Sequence, residues 1–376
     1  MNERLVDAMM IPTNWDPTLI PRIEALRPAY LYGSLPGEST LRSPLDLPPV
    51  TEEIIEEQVE QANELGIGFI YVMNATQVGT TELTERGRYA ILQRCEWLHG
   101  MGARGIVLSN PFVMEVVRHW YPSLELHVSV LAEVNSVNAA RWFDGIGATV
   151  IHLAPDVNRS IPLLREIRRA VSCKLSVLVN EGCVFQCPLR RYHASVMSHA
   201  AESVAGGYYA DYCYYSCSSW KGTDPVELIR APWIRPEDVD RYLDLGVDLV
   251  KIAGREKMGD GPESHTDWIV DVATAYAQGR RSDLSELLIA LEPPGGIDGS
   301  SPRGAFHASI DTGALDGFLD FFEAGHCHRE CYRCGYCGDY ARKAITTRGD
   351  APEYVEGLIT TIERLKVGDY RSSSAL

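Results

Sequence analysis

The sequence predicts an α/β fold, a (β/α)8 TIM-like barrel with a C-terminal cysteine-rich extension, on three observations. Short β-rich apolar runs alternate with amphipathic helical segments, a pattern that implies parallel strands joined by right-handed crossovers. Eight such runs fall before about residue 253, and an α/β barrel of about 250 residues is a single unit. No glycine-rich dinucleotide fingerprint supports the competing open, doubly wound sheet.

In chain order, the strand candidates are residues 30–32, 68–72, 105–108, 124–128, 149–153, 175–179, a weaker 227–230, and 248–252. Apolar periodicity predicts helices over 52–65, 84–99, 135–145 and 161–171. Polar residues follow several strands closely: Asn74, Asn110, Asp156, Asn180, Glu181 and Arg255. In a barrel these positions face the mouth where chemistry occurs. The barrel is assigned to residues 1–256 and a helical, cysteine-rich extension to 257–376. Within the extension, 267–279, 284–291, 313–322 and 352–366 read as helices, 295–305 as a loop and 371–376 as a frayed tail.

The chain has 376 residues, 45% of them hydrophobic, enough for a large core. Its 35 basic against 51 acidic residues give a net charge of −16, which exerts no general pull on nucleic acid or anionic lipid. No apolar run approaches the roughly 18–20 residues of a membrane span. The opening residues Met1-Asn2-Glu3-Arg4-Leu5 carry no basic-then-apolar leader. A cytoplasmic protein acting on a small molecule, without membrane or nucleic-acid partner, is the expectation.

Ten cysteines are present, and disulfides are rare in the cytosol, so clustered thiols point to metal. Cys95 and Cys173 stand apart and read as small buried hydrophobes. Cys183 and Cys187 follow the sixth strand candidate, with Arg190 close enough in sequence to favour thiolates. Cys213 and Cys217 form a second pair, and the two pairs together supply four sulfurs for an iron–sulfur cluster or zinc. Cys327, Cys331, Cys334 and Cys337 form a dense third set that suits a further cluster, with zinc as the alternative. Lys251 and Arg255 end the last strand candidate, where they can grip a carboxylate or phosphate or pair with Glu181.

Lys251-Ile252-x-Gly254-Arg255, together with Asn180-x-Gly182-Cys183-x3-Cys187, resembles the collagenase-like peptidase family U. The resemblance runs from about Tyr30 to Lys257 and includes the strand with His127-Val128-Ser129. It departs from the family pattern at Glu181, Ala253 and Pro155-Asp156. It implies a TIM barrel and, through several members, oxygen-independent hydroxylation at a cysteine-bound [4Fe-4S] cluster. The expected function is therefore an iron–sulfur oxidoreductase modifying a carboxylate-bearing small metabolite at the barrel mouth. Lys251, Arg255, Glu181 and His127 are its catalytic candidates, with Asn180 and Arg190 next to the cofactor. Cys183, Cys187, Cys213 and Cys217 would hold one [4Fe-4S] cluster and the tail cysteines a second, fed by an electron donor such as ferredoxin, in a homo- or heterodimer. The alternatives are a peptidase or other hydrolase of the same family and a non-catalytic, cluster-bearing partner subunit. The peptidase reading ranks lower because neither a zincin nor a family-specific cysteine-protease signature is present.

Overall fold

Eight parallel strands close into a barrel in the order of the chain. They are β1 (Met9–Pro12), β2 (Tyr30–Gly33), β3 (Gly68–Met73), β4 (Gly105–Leu108), β5 (Glu125–Val128), β6 (Val150–His152), β7 (Lys174–Leu178) and β8 (Leu249–Lys251). The computed structural model describes residues 2–35, 50–202, 212–254, 262–289 and 307–368. The expectation of eight strands holds, but with one exchange. Met9–Pro12, an apolar run bounded by Thr13-Asn14, is the first strand, whereas Val226–Arg230 is a short helix in the β7–β8 crossover. Met10 pairs with Lys251 of β8 on one side and Tyr30 of β2 on the other, which closes the ring.

The crossover helices are α1 (Leu19–Ile23), α2 (Glu52–Glu64), α3 (Glu85–Gly100), α4 (Pro111–Trp120), α5 (Val137–Gly145) and α6 (Ile161–Ala170). Local chemistry sets their starts. Thr51, Thr84 and Ser136 side chains accept from backbone N–H groups of the first turns of α2, α3 and α5. Asn110 does the same for α4, with Pro111 pre-set for the first helical position. Among the described residues, the β7–β8 crossover carries four α-helices: α7 (Arg190–Glu202), α8 (Tyr212–Thr223), α9 (Val226–Arg230) and α10 (Val239–Asp244).

Strand alternation sorts side chains into two apolar layers. Met10, Tyr30, Tyr32, Ile70, Val72, Val107, Val150 and Leu249 fill the lumen as one cluster. Their strand neighbours, such as Phe69, Tyr71, Ile106 and Val250, face the helices and belong to a larger core. Cys95 and Cys173 are buried, and burial pushes both thiols up to about 12, as suits inert core residues.

The larger core continues without a break beyond residue 256. Helix α11 (Pro262–Gln278) buries Ile269, Val272, Ala273 and Tyr276, and the Tyr276 hydroxyl donates to Val179 O (3.2 Å) and Ile234 O (2.8 Å). Expected helix 284–291 is reduced to a 3-10 turn, Leu284–Leu287, and 313–322 is split into Gly313–Leu315 and α12 (Asp320–Glu323). Next come β9 (His307–Ile310), α13 (Cys331–Cys334), α14 (Tyr336–Ala344), β10 (Ile345–Arg348) and α15 (Ala351–Lys366), with β9 and β10 antiparallel. Phe318 stacks on Trp233 at 5.5 Å, and Arg241 of α10 bonds to Asp320 and Glu323, so the extension is pinned to the barrel. Among the described residues no helix is long and apolar enough to cross a membrane.

Candidate active site at the barrel mouth

Asn180, two residues past β7, is fully buried and spends its amide on structure. Its Nδ2 donates to Ala253 O (3.0 Å) and Leu287 O (3.1 Å), and its Oδ1 accepts from Ala253 N–H (2.8 Å). It therefore ties the ends of β7 and β8 together, where the sequence reading placed it beside a cofactor. The loop that follows is held from both sides. Glu181 accepts from Cys183 N–H at 3.0 Å, and Asp156 accepts from Gln186 N–H at 3.1 Å.

Arg190 opens α7 directly above this loop. Burial would weaken its charge, but the Glu181 and Asp156 carboxylates beside it hold it firmly protonated. Its Nη2 lies 3.7 Å from Asp156 Oδ1, within ion-pair range, yet is buried without a hydrogen-bond acceptor among the described residues. A buried cation with an unspent N–H is costly unless something anionic arrives. Lys251 ends β8, 7% exposed, with its ammonium 4.4 Å from the Tyr32 ring centroid. Arg255, predicted beside it, lies outside the described residues.

Cys213 and Cys217 sit one turn apart on α8, and both are buried. Their helix is covered by α15, through Tyr215 against Tyr354 and Leu358. Cys183 feels Cys217 and Lys221 electrostatically, so loop and helix do converge. Burial first, then Glu181, pushes the Cys183 thiol well above its usual range and keeps it protonated. In the tail, Cys331 is coupled to Cys327 and Cys334, and Cys337 to Cys331 and Cys327, while Cys334 is exposed. Burial raises Cys337 to about 12, against the pull of Arg159 and Arg230. No disulfide joins any of the ten cysteines.

Four thiols have the right softness for an iron–sulfur cluster or zinc. Among the described residues no three His, Cys, Asp or Glu side chains form a group that could hold a metal ion. The thiols lie on a loop and a facing helix near the barrel and on a turn in the tail, and burial favours the neutral form of Cys183, Cys331 and Cys337.

His127 points into the barrel. It is 0% exposed inside the barrel, bonded to Glu125 and to His152. His152 and Ser176, which the sequence reading omits, share this interior. The signal was available, since His127, His152, Ser176 and Lys251 occupy inward positions of four successive strands in otherwise apolar runs.

Residues 48–292 match the model of Peptidase family U32. An uncharacterized protease of Methanocaldococcus jannaschii is 32% identical over 316 residues, spanning 83% of this chain and 86% of that protein. The solved structure of a U32 peptidase superposes with a TM-score of 0.51 at 22% identity, over 68% of this chain and 94% of that one, and shows the shared fold. The matched family and both relatives carry peptidase or protease names, and none names redox chemistry. These findings overturn the expectation of an oxidoreductase with peptidase activity ranked behind it.

Proposed function

Because the chain belongs to peptidase family U32, we propose that it hydrolyses peptide bonds at the barrel mouth and anchors its substrate by a carboxylate. The observation that carries the anchoring is Arg190, a partly buried guanidinium whose Nη2 is buried without an acceptor among the described residues. A planar guanidinium suits the two oxygens of a peptide C-terminus or of an acidic side chain. Glu181 and Asp156 hold the loop beneath it and keep its charge in place. Lys251, the other cation at the strand ends, supplies positive potential for the oxygen of the scissile carbonyl as it gains charge.

The neutral Cys183 thiol is a poor nucleophile, so water rather than an acyl-enzyme sulfur attacks the carbonyl. The products are a free acid and a free amine, with one water consumed.

The test is digestion of a peptide library by the full-length protein, read by mass spectrometry. Free-acid peptides are expected to be cut and their C-terminally amidated counterparts, lacking acidic residues, to survive. Arg190→Met removes charge-assisted bonds of about 1.5–3 kcal/mol, a loss of roughly 10- to 100-fold in kcat/KM. Equal cleavage of amidated and free peptides would refute the carboxylate anchor. No cleavage of any peptide would refute the hydrolase reading.

A further inference from the structure

The barrel interior holds a continuous polar chain that the mouth chemistry does not use. Glu125 Oε2 lies 3.3 Å from His127 Nε2, and His127 Nδ1 lies 3.4 Å from His152 Nε2. Glu125 also accepts from the Tyr30 hydroxyl and from Arg104 Nε, each at 2.8 Å. Both imidazoles are at most 1% exposed.

The tautomers follow from the partners. Burial alone would raise the Glu125 carboxyl, but His127, Arg104 and Tyr30 bind its ionised form and bring it down to about 2. An ionised carboxylate only accepts, so His127 must present Nε2–H to it. Burial keeps His127 neutral, which leaves its Nδ1 bare to accept from His152 Nε2–H. The Nδ1 of His152 is then a bare lone pair, and it is buried without a partner among the described residues. Ser176 stands opposite His152 in the β6–β7 register, and its Oγ is likewise buried and unpartnered among the described residues. Two orphan polar atoms on adjacent strands cost about 1–3 kcal/mol each unless a small protic molecule joins them.

We propose that the lumen is a general-base site, in which His152 Nδ1 takes a proton from a water molecule held between it and Ser176 Oγ, and His127 keeps the resulting charge. The electrostatics decide which ring is charged. Lys251 opposes a proton on both rings and Lys174 opposes one on His127, but only His127 has the Glu125 carboxylate against it. Tyr30 and Arg104 face that carboxylate and keep it ionised.

In the step, the water O–H bond breaks and its proton joins His152 Nδ1. The proton on His152 Nε2 passes to His127 Nδ1. A neutral His152 of reversed tautomer, a His127 imidazolium paired with Glu125 and a hydroxide remain. Glu125 holds the imidazolium without taking its proton, as the buried carboxylate of a serine-protease triad does. The site rests on the peptidase reading only for the carbonyl that this hydroxide would attack.

Two-bond proton–nitrogen spectra of the intact protein with 15N-histidine test it, with His127→Gln and His152→Gln assigning the signals. The expected result is an Nε2–H tautomer on both rings, a water cross-peak to His152 that Ser176→Ala abolishes, and protonation of His127 before His152 on acidification. An Nδ1–H tautomer on either ring, a dry His152, or His152 charging first would overturn the proposal. These readouts need no substrate, so a protein that cuts no peptide sinks the peptidase reading while leaving this one to be decided by the spectra. If peptides are cut, Ser176→Ala should lower kcat at least 10-fold at unchanged KM, and an unchanged kcat would separate the site from catalysis.

Discussion

Replacing Glu125 with Gln should destabilise the protein by an amount that depends on pH. Glu125 sits at the start of β5 with its side chain 18% exposed and receives bonds from His127, Arg104 and Tyr30. Its carboxyl falls from the ordinary 4.5 to about 2, because those bonds outweigh the burial that would raise it. At 1.36 kcal/mol per pH unit this corresponds to at most about 3 kcal/mol. Arg104 is 65% exposed and its share is screened by solvent, which leaves about 2 kcal/mol. A depressed folded-state pKa stabilises above the unfolded value, near pH 4.5, and the contribution is lost as pH falls toward 2. Urea unfolding of both proteins at pH 7 and pH 3 measures it. The gap between native and variant should be about 2 kcal/mol at pH 7 and clearly smaller at pH 3. A gap that stays constant across this range would refute an ionised Glu125 at the floor of the barrel.

Asn180→Ala removes two hydrogen bonds between the ends of β7 and β8 and one to Leu287 of the extension, and should cost about 3 kcal/mol, seen as a lower urea midpoint at unchanged slope. Gly254 has φ +120°, and a Cβ there would lie 2.3 Å from the Trp268 ring, so Gly254→Ala should cost about 3 kcal/mol in thermal unfolding. Iodoacetamide should alkylate the exposed Cys334 first and leave Cys95 and Cys173 untouched until the protein is denatured, as peptide mass mapping would show.

Much of the scaffold was legible because periodicity is a local property. The runs that became β2 through β7, and β8, alternate with helices whose caps at Thr51, Thr84, Asn110 and Ser136 are visible in the chain. Met9–Pro12 was missed because a four-residue strand buried on both sides has no alternation to show. Val226–Arg230 was misread because five residues are too few to separate a strand from a helical turn. For the candidate site, Glu181 and Lys251 lie at or just past strand ends, a position that the sequence shows, and Arg190 opens the helix that follows. The bonds of Asn180 were not legible, since its partners Ala253 and Leu287 are 73 and 107 residues away.

By itself, then, the amino-acid order determined a ring of eight parallel strands, the rank of polar residues at its mouth and the family pattern around Cys183 and Lys251. Only the tertiary structure decided that the Cys183 loop faces the Cys217 helix and that the Nη2 of Arg190 is buried without an acceptor among the described residues. It also decided that Glu125, His127, His152 and Ser176 meet inside the barrel. The reason is physical: strand and helix periods are set by neighbours along the chain, whereas protonation, tautomer and ligation depend on distances between groups that closure of the barrel alone brings together.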